Sequence, residues 1–161
     1  MRTIPGIGDS LKAIDEIITT KLIPAISGGI IPNDIERSLF SLPPSSGGLG
    51  IPIFSEIAER EFKNYQMLTE CLQNNNISQT RQSVIDQAKL KKLKSTIKGE
   101  KVKRQRSILD SIKENVSDEM MKLIDLCTER GALLWLSTLP IKEEGYQLDK
   151  QSFWDLLKIR Y

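Results

Sequence analysis

The sequence of 161 residues contains no histidine and only two cysteines, and these absences exclude several kinds of site. Without histidine there is no Ser-His-Asp or Cys-His nucleophile, no histidine general base and no imidazole ligand for a metal. Cys71 and Cys127 lie far apart and form no CxxC motif, so we expect neither a disulfide framework nor a zinc site. We therefore predict no catalytic residue, no metal ligand and no cofactor in this chain.

Long apolar runs are also missing. The longest nearly apolar run, residues 132–136, is far shorter than the roughly 20 residues that a membrane span needs. The N-terminal residues lack an apolar signal-peptide stretch, and Asp9, Asp15 and Glu16 argue against a transit peptide. We expect a soluble intracellular protein without a membrane partner, in either the nucleus or the cytoplasm.

Apolar residues recur every three or four positions through most of the chain, which is the pattern of amphipathic helices. No alternating strand pattern of useful length is present, so we predict an all-α fold. We expect an irregular helical bundle that forms a single domain over 1–161 and contains a long basic helical segment over 78–115. The predicted helices are 11–22, ending near Pro24; 32–40, capped by Asn33 or Asp34 and closed by Pro43-Pro44; 55–72, ended by 74–76; 78–115, continuous or broken at Gly99; 118–136, capped by Ser117; and 150–159, capped by Asp149.

The clearest loop lies at residues 42–52, where three glycines and three prolines fall within eleven residues. A phosphate-binding loop needs Lys-Ser/Thr directly after its glycines, and here Ile51-Pro52 follows. We therefore assign Gly47, Gly48 and Gly50 a structural role. The core is expected to form from the 11–22, 55–72, 118–136 and 150–159 helices, anchored by Trp135, Phe153 and Trp154.

Charge is concentrated in one stretch. The whole chain carries a net charge of +2, but residues 86–106 carry +7 and the other 140 residues carry −5. The apolar stripe of the predicted long helix fades between Lys98 and Ser107, so this section has no apolar face to bury and is expected to project into solvent or face a charged partner. Non-specific binding of DNA or RNA phosphates is one reading, and a merely solvated surface is another. Binding to a membrane surface is disfavoured, because this section has no bulky apolar face opposite its lysines. The candidate binding residues are Lys89, Lys91, Lys92, Lys94, Lys98, Lys101, Lys103, Arg104 and Arg106.

Two blocks of the sequence resemble retrotransposon-type proteins. Residues 42–51 (LPPSSGGLGI), followed by AEREF at 58–62, resemble a stretch downstream of the reverse transcriptase palm in those proteins. A second block, ERGALLWLSTLP at 129–140 and GYQLDKQSFWD at 145–155 through Arg160-Tyr161, follows in the family's order. Family members tend to carry a basic residue where this chain has Ser45, so we expect no loop contact to nucleic acid.

The resemblance implies a thumb-like or connecting helical region without the polymerase's metal-binding aspartates. The chain is thus expected to be a non-enzymatic fragment or remnant of a longer polyprotein, and the missing polymerase region is a possible partner. The alternative from a different class is a helical protein–protein interaction module in which the basic run is incidental. Coiled-coil pairing needs sustained apolar heptads, and Lys101 and Arg104 interrupt the register of Leu90, Leu93 and Ile97.

Overall fold

A computed structural model describes residues 4–78, 87–129, 132, 141–145 and 147–160, with the backbone alone for 71–78, 87, 142, 159 and 160. Regular structure in the described residues is helical, which confirms the all-α prediction. A π-helical turn at Ile18–Leu22 joins the first two α-helices, and short 3-10 turns lie at Pro44–Ser46 and Lys142–Glu144. The α-helices are α1 (Gly8–Ile17), α2 (Ile23–Ser27), α3 (Asp34–Ser41), α4 (Phe54–Ser78), α5 (Gln87–Glu114), α6 (Asp118–Thr128) and α7 (Lys150–Arg160).

The chain divides into two compact units. The first unit comprises Met1–Ala13 and Phe54–Arg104, and the second comprises Ile14–Ile53 and Gln105–Tyr161. The second unit contains the loop at 42–52, the cluster of buried apolar residues and helices α6 and α7. The first contains α4 and the more basic part of α5. The single domain over 1–161 stays a prediction.

The prediction that the first helical segment ends near Pro24 is wrong. The chain stays helical to Ser27. The helix ends there because Gly28 has a left-handed φ of 81°. The helix is continuous through Leu22 and Ile23, which both have right-handed helical φ and ψ. Pro24 directly follows the π-helical turn, where the backbone hydrogen-bond pattern is already altered and the Ile23 N–H donates to the Ile18 carbonyl.

Helix α3 is capped by Asn33, one of the two predicted caps, and the structure shows that the cap is reciprocal. The Asn33 side chain accepts a hydrogen bond from the Glu36 N–H, and the Glu36 carboxylate accepts one from the Asn33 N–H, both at 2.9 Å. The helix ends at Ser41, one residue after the predicted boundary, because Pro43 follows Leu42 and holds it in extended geometry. The prediction of a capped helix closed by proline is confirmed.

The loop after α3 folds back onto the end of that helix. The Leu49 and Ile51 N–H groups donate to the Phe40 carbonyl at 3.3 and 3.0 Å, and the Gly50 N–H donates to the Leu42 carbonyl at 2.8 Å. Gly48 lies so close to the last turn of α3 that a Cβ atom there would be 2.0 Å from the Leu42 carbonyl oxygen. The absence of a side chain at Gly48 therefore permits this packing.

A buried arginine fastens the same loop from its other end. The Arg37 side chain of α3 is only 6% exposed. Its Nη1 and Nη2 groups donate to the Ile51 and Pro52 carbonyls at 2.8 and 3.0 Å. Its Nε donates to the Thr19 hydroxyl in the π-helical turn at 3.1 Å, so a single guanidinium joins three segments of the second unit. No pattern in the sequence predicted this role for Arg37.

The cluster of buried apolar residues consists of Leu39 and Leu42 from the end of α3, Ile112 of α5 and Ile124 of α6. This differs from the expected core, in which neither α3 nor α5 had a part. In the expected 11–22 helix, Ile14, Ile17 and Leu22 are 45%, 60% and 46% exposed, so much of that predicted apolar face lies in solvent. The loop clamps bring α3 into the core, and helical periodicity alone does not reveal such clamps. Around the cluster pack Ile108, Leu109, Val116 and Met120.

The end of α4 also differs from the prediction. The three asparagines at 74–76 do not stop the helix, which continues to Ser78. Asparagine lowers helix propensity by only a fraction of a kcal/mol, and neither glycine nor proline is present there to break the backbone. The long basic segment predicted from 78 is described from Gln87 as α5, and residues 79–86 lie outside the described part of the chain.

The last two described α-helices begin at the predicted caps, but the prediction of one helix over 118–136 is wrong: α6 ends at Thr128, because Glu129 is extended with a ψ of 149°. The Ser117 hydroxyl accepts from the Met120 N–H, and the Asp149 carboxylate accepts from the N–H groups of Gln151 and Ser152. A further hydrogen bond from the Ser152 hydroxyl, at 2.6 Å, is the main reason why the pKa of Asp149 lies below its ordinary value.

Of the predicted aromatic anchors, Phe153 and Trp154 are half-buried on α7. The Trp154 ring lies against Gly28 at the end of α2, where a Cβ atom would be 3.5 Å from it. The Lys150 ammonium lies 4.4 Å from the centroid of the same ring, which is within the range of a cation–π interaction. Trp135, the third anchor, lies outside the described residues.

We predict that Arg37→Lys lowers the free energy of unfolding by about 2 kcal/mol, and Arg37→Ala by about 3 kcal/mol or more. A lysine keeps the charge but cannot supply a planar fork to both the Ile51 and Pro52 carbonyls. Urea unfolding measures both effects. Arg106→Lys, on the exposed surface of α5, is the matched control and should change stability by less than about 0.5 kcal/mol. Equal stabilities for Arg37→Lys and the parent would contradict the clamp.

Two glycine substitutions should change the free energy of unfolding in opposite directions. Gly48→Ala places a methyl group against backbone carbonyls that cannot move without unwinding α3, so we expect a loss of about 3 kcal/mol or more. Gly99 lies within α5 with no non-local atom within 4 Å of an added Cβ, so Gly99→Ala should gain about 0.5–1 kcal/mol through helix propensity. Thermal melts of the two variants check both signs; a tolerated Gly48→Ala would show that the loop does not pack as described.

Candidate nucleic-acid interface on helix α5

Helix α5 is one uninterrupted α-helix from Gln87 to Glu114. The sequence explains its length, because this stretch has no proline and is rich in lysine, leucine, glutamine and arginine, which are good helix formers. Gly99 does not break the helix, which decides between the continuous and the broken alternatives. The helix therefore presents its charged residues at fixed angular and axial intervals.

Burial along α5 follows the apolar pattern of the sequence. Leu90, Leu93 and Ile97 are half-buried, and every residue from 98 to 104 is exposed. Gln105 is half-buried again, the buried apolar residues resume at Ile108, and Ile112 is fully buried in the apolar cluster of the second unit. The expectation that the helix loses its buried face in the middle is confirmed for residues 98–104.

The candidate cations are all on the surface. Seven are lysines and two are arginines, and all nine side chains are exposed. Glu100 is the only acidic residue in the described part of α5 before Asp110. Arg106 lies in the second unit and the other eight lie in the first. The nine candidate residues are Lys89, Lys91, Lys92, Lys94, Lys98, Lys101, Lys103, Arg104 and Arg106.

Four lysines share one face of α5. Successive helical residues are about 100° apart, which places Lys91, Lys94, Lys98 and Lys101 within a sector of about 80°. With a rise of 1.5 Å per residue, these four positions span about 15 Å along the helix. We call this set the first lysine row. Such a row can follow a nucleic-acid backbone, which carries one phosphate per about 3.4 Å on each strand.

One cation of α5 has an acidic partner in α4 that the sequence pattern does not reveal. The Arg104 guanidinium lies 3.7 Å from the Glu56 carboxylate, and both side chains are about half exposed. Arg104 lies two helical turns after Ile97 and faces the same direction from the helix axis as the stripe of Leu90, Leu93 and Ile97. An ion pair thus stands where the apolar stripe is interrupted, and it reduces the charge that Arg104 can offer to a phosphate.

The first unit also has an open groove of about 360 Å³ lined by several charged residues, and these charged groups have internal partners. Asp9 pairs with Lys12 at 2.7 Å, and the hydrogen bond and charge of Lys12 lower the pKa of this carboxyl. Glu59 accepts the Gly6 N–H at 2.7 Å. These contacts explain the acids of the groove without a ligand. Its lining residues are Gly6, Gly8, Asp9, Lys12, Ser55, Glu56 and Glu59.

The predicted loop glycines occupy the second unit, where their role is in the backbone. Gly47 and Gly50 have left-handed φ values of 84° and 72°. Gly47 faces α6: a Cβ atom at this position would lie 3.7–3.8 Å from the side chains of Thr128, Cys127 and Ile124. In the described part of the chain no group of three or more acidic, cysteine or histidine residues is arranged to hold a metal ion.

We predict that the Glu56–Arg104 pair is weakly coupled, with an interaction free energy of about 0.2–1 kcal/mol in a double-mutant cycle of Glu56→Gln and Arg104→Gln. Both groups remain in contact with water, which screens their attraction. Unfolding experiments at low and high salt measure the coupling, which should decrease as salt rises. A coupling above about 2 kcal/mol that does not respond to salt would show that the pair is buried in solution.

The arrangement on α5 is an exposed cationic surface on a continuous helix, which can attract polyanions. No helix within the described ranges is long and apolar enough to cross a membrane. No protein-family model matches the sequence, and comparisons with curated proteins and with solved structures give no match.

Proposed function

We propose that this chain is a non-catalytic helical region, of the thumb or connection type, from a retrotransposon reverse-transcriptase-like protein. In this proposal α5 binds DNA or RNA through phosphates, without preference for sequence. The region would act beside the polymerase palm, holding nucleic acid rather than transforming it.

The observation that carries the proposal is the coincidence of charge and exposure on α5. Residues 98–104 are all exposed, and the ion pair of Arg104 with Glu56 leaves both of those side chains in contact with water. Four of these seven residues are basic: Lys98, Lys101, Lys103 and Arg104. Val102 is the one large apolar residue in this section, so the section has no apolar stripe to bury, and its surface remains for solvent or for a charged partner.

The side-chain types favour phosphate contacts over base recognition. Lysines outnumber arginines seven to two among the candidate residues, and lysine binds phosphate as a flexible point charge. Specific reading of bases commonly uses the planar forks of arginine, asparagine or glutamine, and single-strand platforms use aromatic rings. Helix α5 has no aromatic residue. Affinity should therefore depend on salt far more than on nucleotide sequence.

The resemblance to retrotransposon proteins supports the family part of the proposal, and the loop geometry is compatible with it. The GGLGI residues at 47–51 make the close turn against α3 in which Gly48 leaves no room for a side chain. Ser45, which stands where family members tend to carry a basic residue, gives the loop no cation. We therefore assign the nucleic-acid contacts to α5 and a structural role to the loop. An in-frame polymerase palm upstream in the genomic sequence would support the family assignment.

Salt-dependent binding tests the phosphate part. For the parent chain and a fluorescent duplex of random sequence, log K should fall against log[salt] with a slope of about −4. Replacing the first lysine row by glutamine (Lys91→Gln, Lys94→Gln, Lys98→Gln, Lys101→Gln) should weaken binding at low salt. The slope should also become shallower, with a magnitude of about 2 or smaller. Glutamine preserves helix propensity, so circular dichroism should show an unchanged fold.

The control variant removes the same charge elsewhere. Lys21, Lys63, Lys122 and Lys158 are exposed and lie outside α5. Their replacement by glutamine should leave the slope near −4, because overall charge changes equally but the row is intact. If the two quadruple variants bind alike, net charge rather than α5 governs binding; if the row variant binds as tightly as the parent, the phosphate proposal is wrong.

A second candidate function is a protein–protein interaction module. The observation that favours it is the exposure of large apolar residues in the second unit, including Ile17 at 60% and Ile31 at 66%. Light scattering of the purified chain tests self-association. A concentration-dependent dimer that Ile17→Ser and Ile31→Ser abolish would support this candidate, and a monomer at all concentrations would count against self-association.

A further inference from the structure

We infer that the chain pairs with a second copy of itself through an antiparallel contact between the helical segments at residues 14–22. The contact surface consists of Ile14, Ile17 and Leu22, which we call the π-turn row. All three residues belong to the second unit. The inference does not use the phosphate binding of α5, and it commits the interaction-module candidate to one partner and one geometry.

The π-helical turn at Ile18–Leu22 creates the row, because it shifts the register of the helix by one residue. In an uninterrupted α-helix, Leu22 would follow the half-buried residues Asp15 and Ile18 on the same face, at spacings of seven and four. The hydrogen bonds of a π turn close on the fifth residue, so the turn takes in one extra residue. Ile23 is therefore completely buried, whereas Leu22 is turned outward and is 46% exposed.

The shift gathers three large apolar side chains on one exposed flank of the helix. Ile14 and Ile17 are about one α-helical turn apart, and Ile17 and Leu22 are one π turn apart. The exposed fractions of Ile14 and Ile17 are 45% and 60%. On the inward side, the hydrogen bond from Arg37 to Thr19 holds the π turn in place, so the row is fixed without being covered. A π turn within an α-helix is often found at a functional site.

The row is complementary to itself when two copies meet in antiparallel orientation about a two-fold axis near residue 18. Ile14 lies four residues before this point and Leu22 four residues after it, so each Ile14 meets Leu22 of the second copy. The two Ile17 side chains meet close to the axis. Because both copies use the same patch, the contact closes as a dimer and leaves no free patch for further copies.

Two charged residues beside the row match in the same arrangement. Glu16 and Lys21 are exposed, and in the described part of the chain neither has an ion-pair partner. At 1.5 Å per residue, Glu16 lies about 3 Å before residue 18 and Lys21 about 4.5 Å after it, so Glu16 of each copy comes level with Lys21 of the other. A parallel pair would instead set like charges beside each other. The charges therefore favour a second copy in antiparallel orientation.

The contact is short, so we expect a weak dimer. At 1.5 Å per residue the row extends about 12 Å along the helix. A patch of this length buries less surface than a standard interface of about 1,600 Å², and we expect a Kd of about 100 µM. Sedimentation velocity of the full chain from about 10 µM to about 1 mM should therefore show a change from monomer to dimer.

An apolar substitution and a matched control assign the surface. Ile17→Ser removes the contact at the two-fold axis and should raise the Kd at least about tenfold. Leu126 is a large apolar residue of the same unit and is 56% exposed, but it lies on α6 outside the row. Leu126→Ser should therefore leave the Kd within about twofold of the parent value. Circular dichroism verifies that both variants are folded.

Charge reversal tests the antiparallel geometry. Glu16→Lys and Lys21→Glu each place like charges together at two equivalent points of the dimer, so each should raise the Kd about fivefold or more. The double variant restores both ion pairs with their polarity exchanged, and its Kd should return to within about twofold of the parent value. It also has the net charge of the parent chain. A purely structural role for either residue would not produce this recovery.

Each contrary outcome overturns the inference. A chain that stays monomeric up to about 1 mM has no such dimer, and a dimer that Ile17→Ser leaves unchanged uses another surface. A double charge variant that stays as weak as the single variants contradicts the antiparallel contact. None of these results affects the proposed phosphate binding, because no residue of the π-turn row belongs to α5. The two proposals therefore fail separately.

Discussion

The buried guanidinium of Arg37 is the contact on which the second unit depends. It joins α3, the π-helical turn and the end of the 42–52 loop through hydrogen bonds to Thr19, Ile51 and Pro52. The close approach of Gly48 to the carbonyls of α3 fixes the other end of the loop. Together they place Leu39 and Leu42 against α5 and α6, so polar clamps define where the apolar cluster forms.

Helix α5 combines two requirements that usually conflict. Its C-terminal part is anchored by Ile112 in the apolar cluster, and its middle part, residues 98–104, has no buried face at all. The middle stays helical because it continues from packed turns on both sides and consists mostly of residues with good helix propensity. A rigid, exposed rod of positive charge results, and this is the physical basis for proposing a phosphate-binding role rather than a catalytic one.

Much of the fold was predictable where the determinants are local. The caps at Asn33, Ser117 and Asp149 follow from side chains that satisfy nearby N–H groups, and the charged surface of α5 follows from a stripe that stops. The role of Arg37 was not predictable, because two of its acceptors are backbone carbonyls, which occur at every residue, and the third is the Thr19 hydroxyl, 18 positions away. The errors at Pro24 and at residues 74–76 have another origin. The helix continues past Pro24 through the π-helical turn that precedes it, and asparagine keeps its backbone N–H, so the hydrogen bonds of α4 stay intact at 74–76.

The most direct test of phosphate binding by α5 is lysine footprinting on the full chain with and without a nucleic-acid duplex. A limiting amine-reactive reagent modifies exposed lysines, and mass spectrometry measures how far the duplex protects each one. We expect Lys91, Lys94, Lys98 and Lys101 to become strongly protected at low salt, whereas Lys21, Lys63 and Lys122 react as before. Uniform protection of all lysines, or protection confined to lysines outside α5, would contradict the proposed role of this helix.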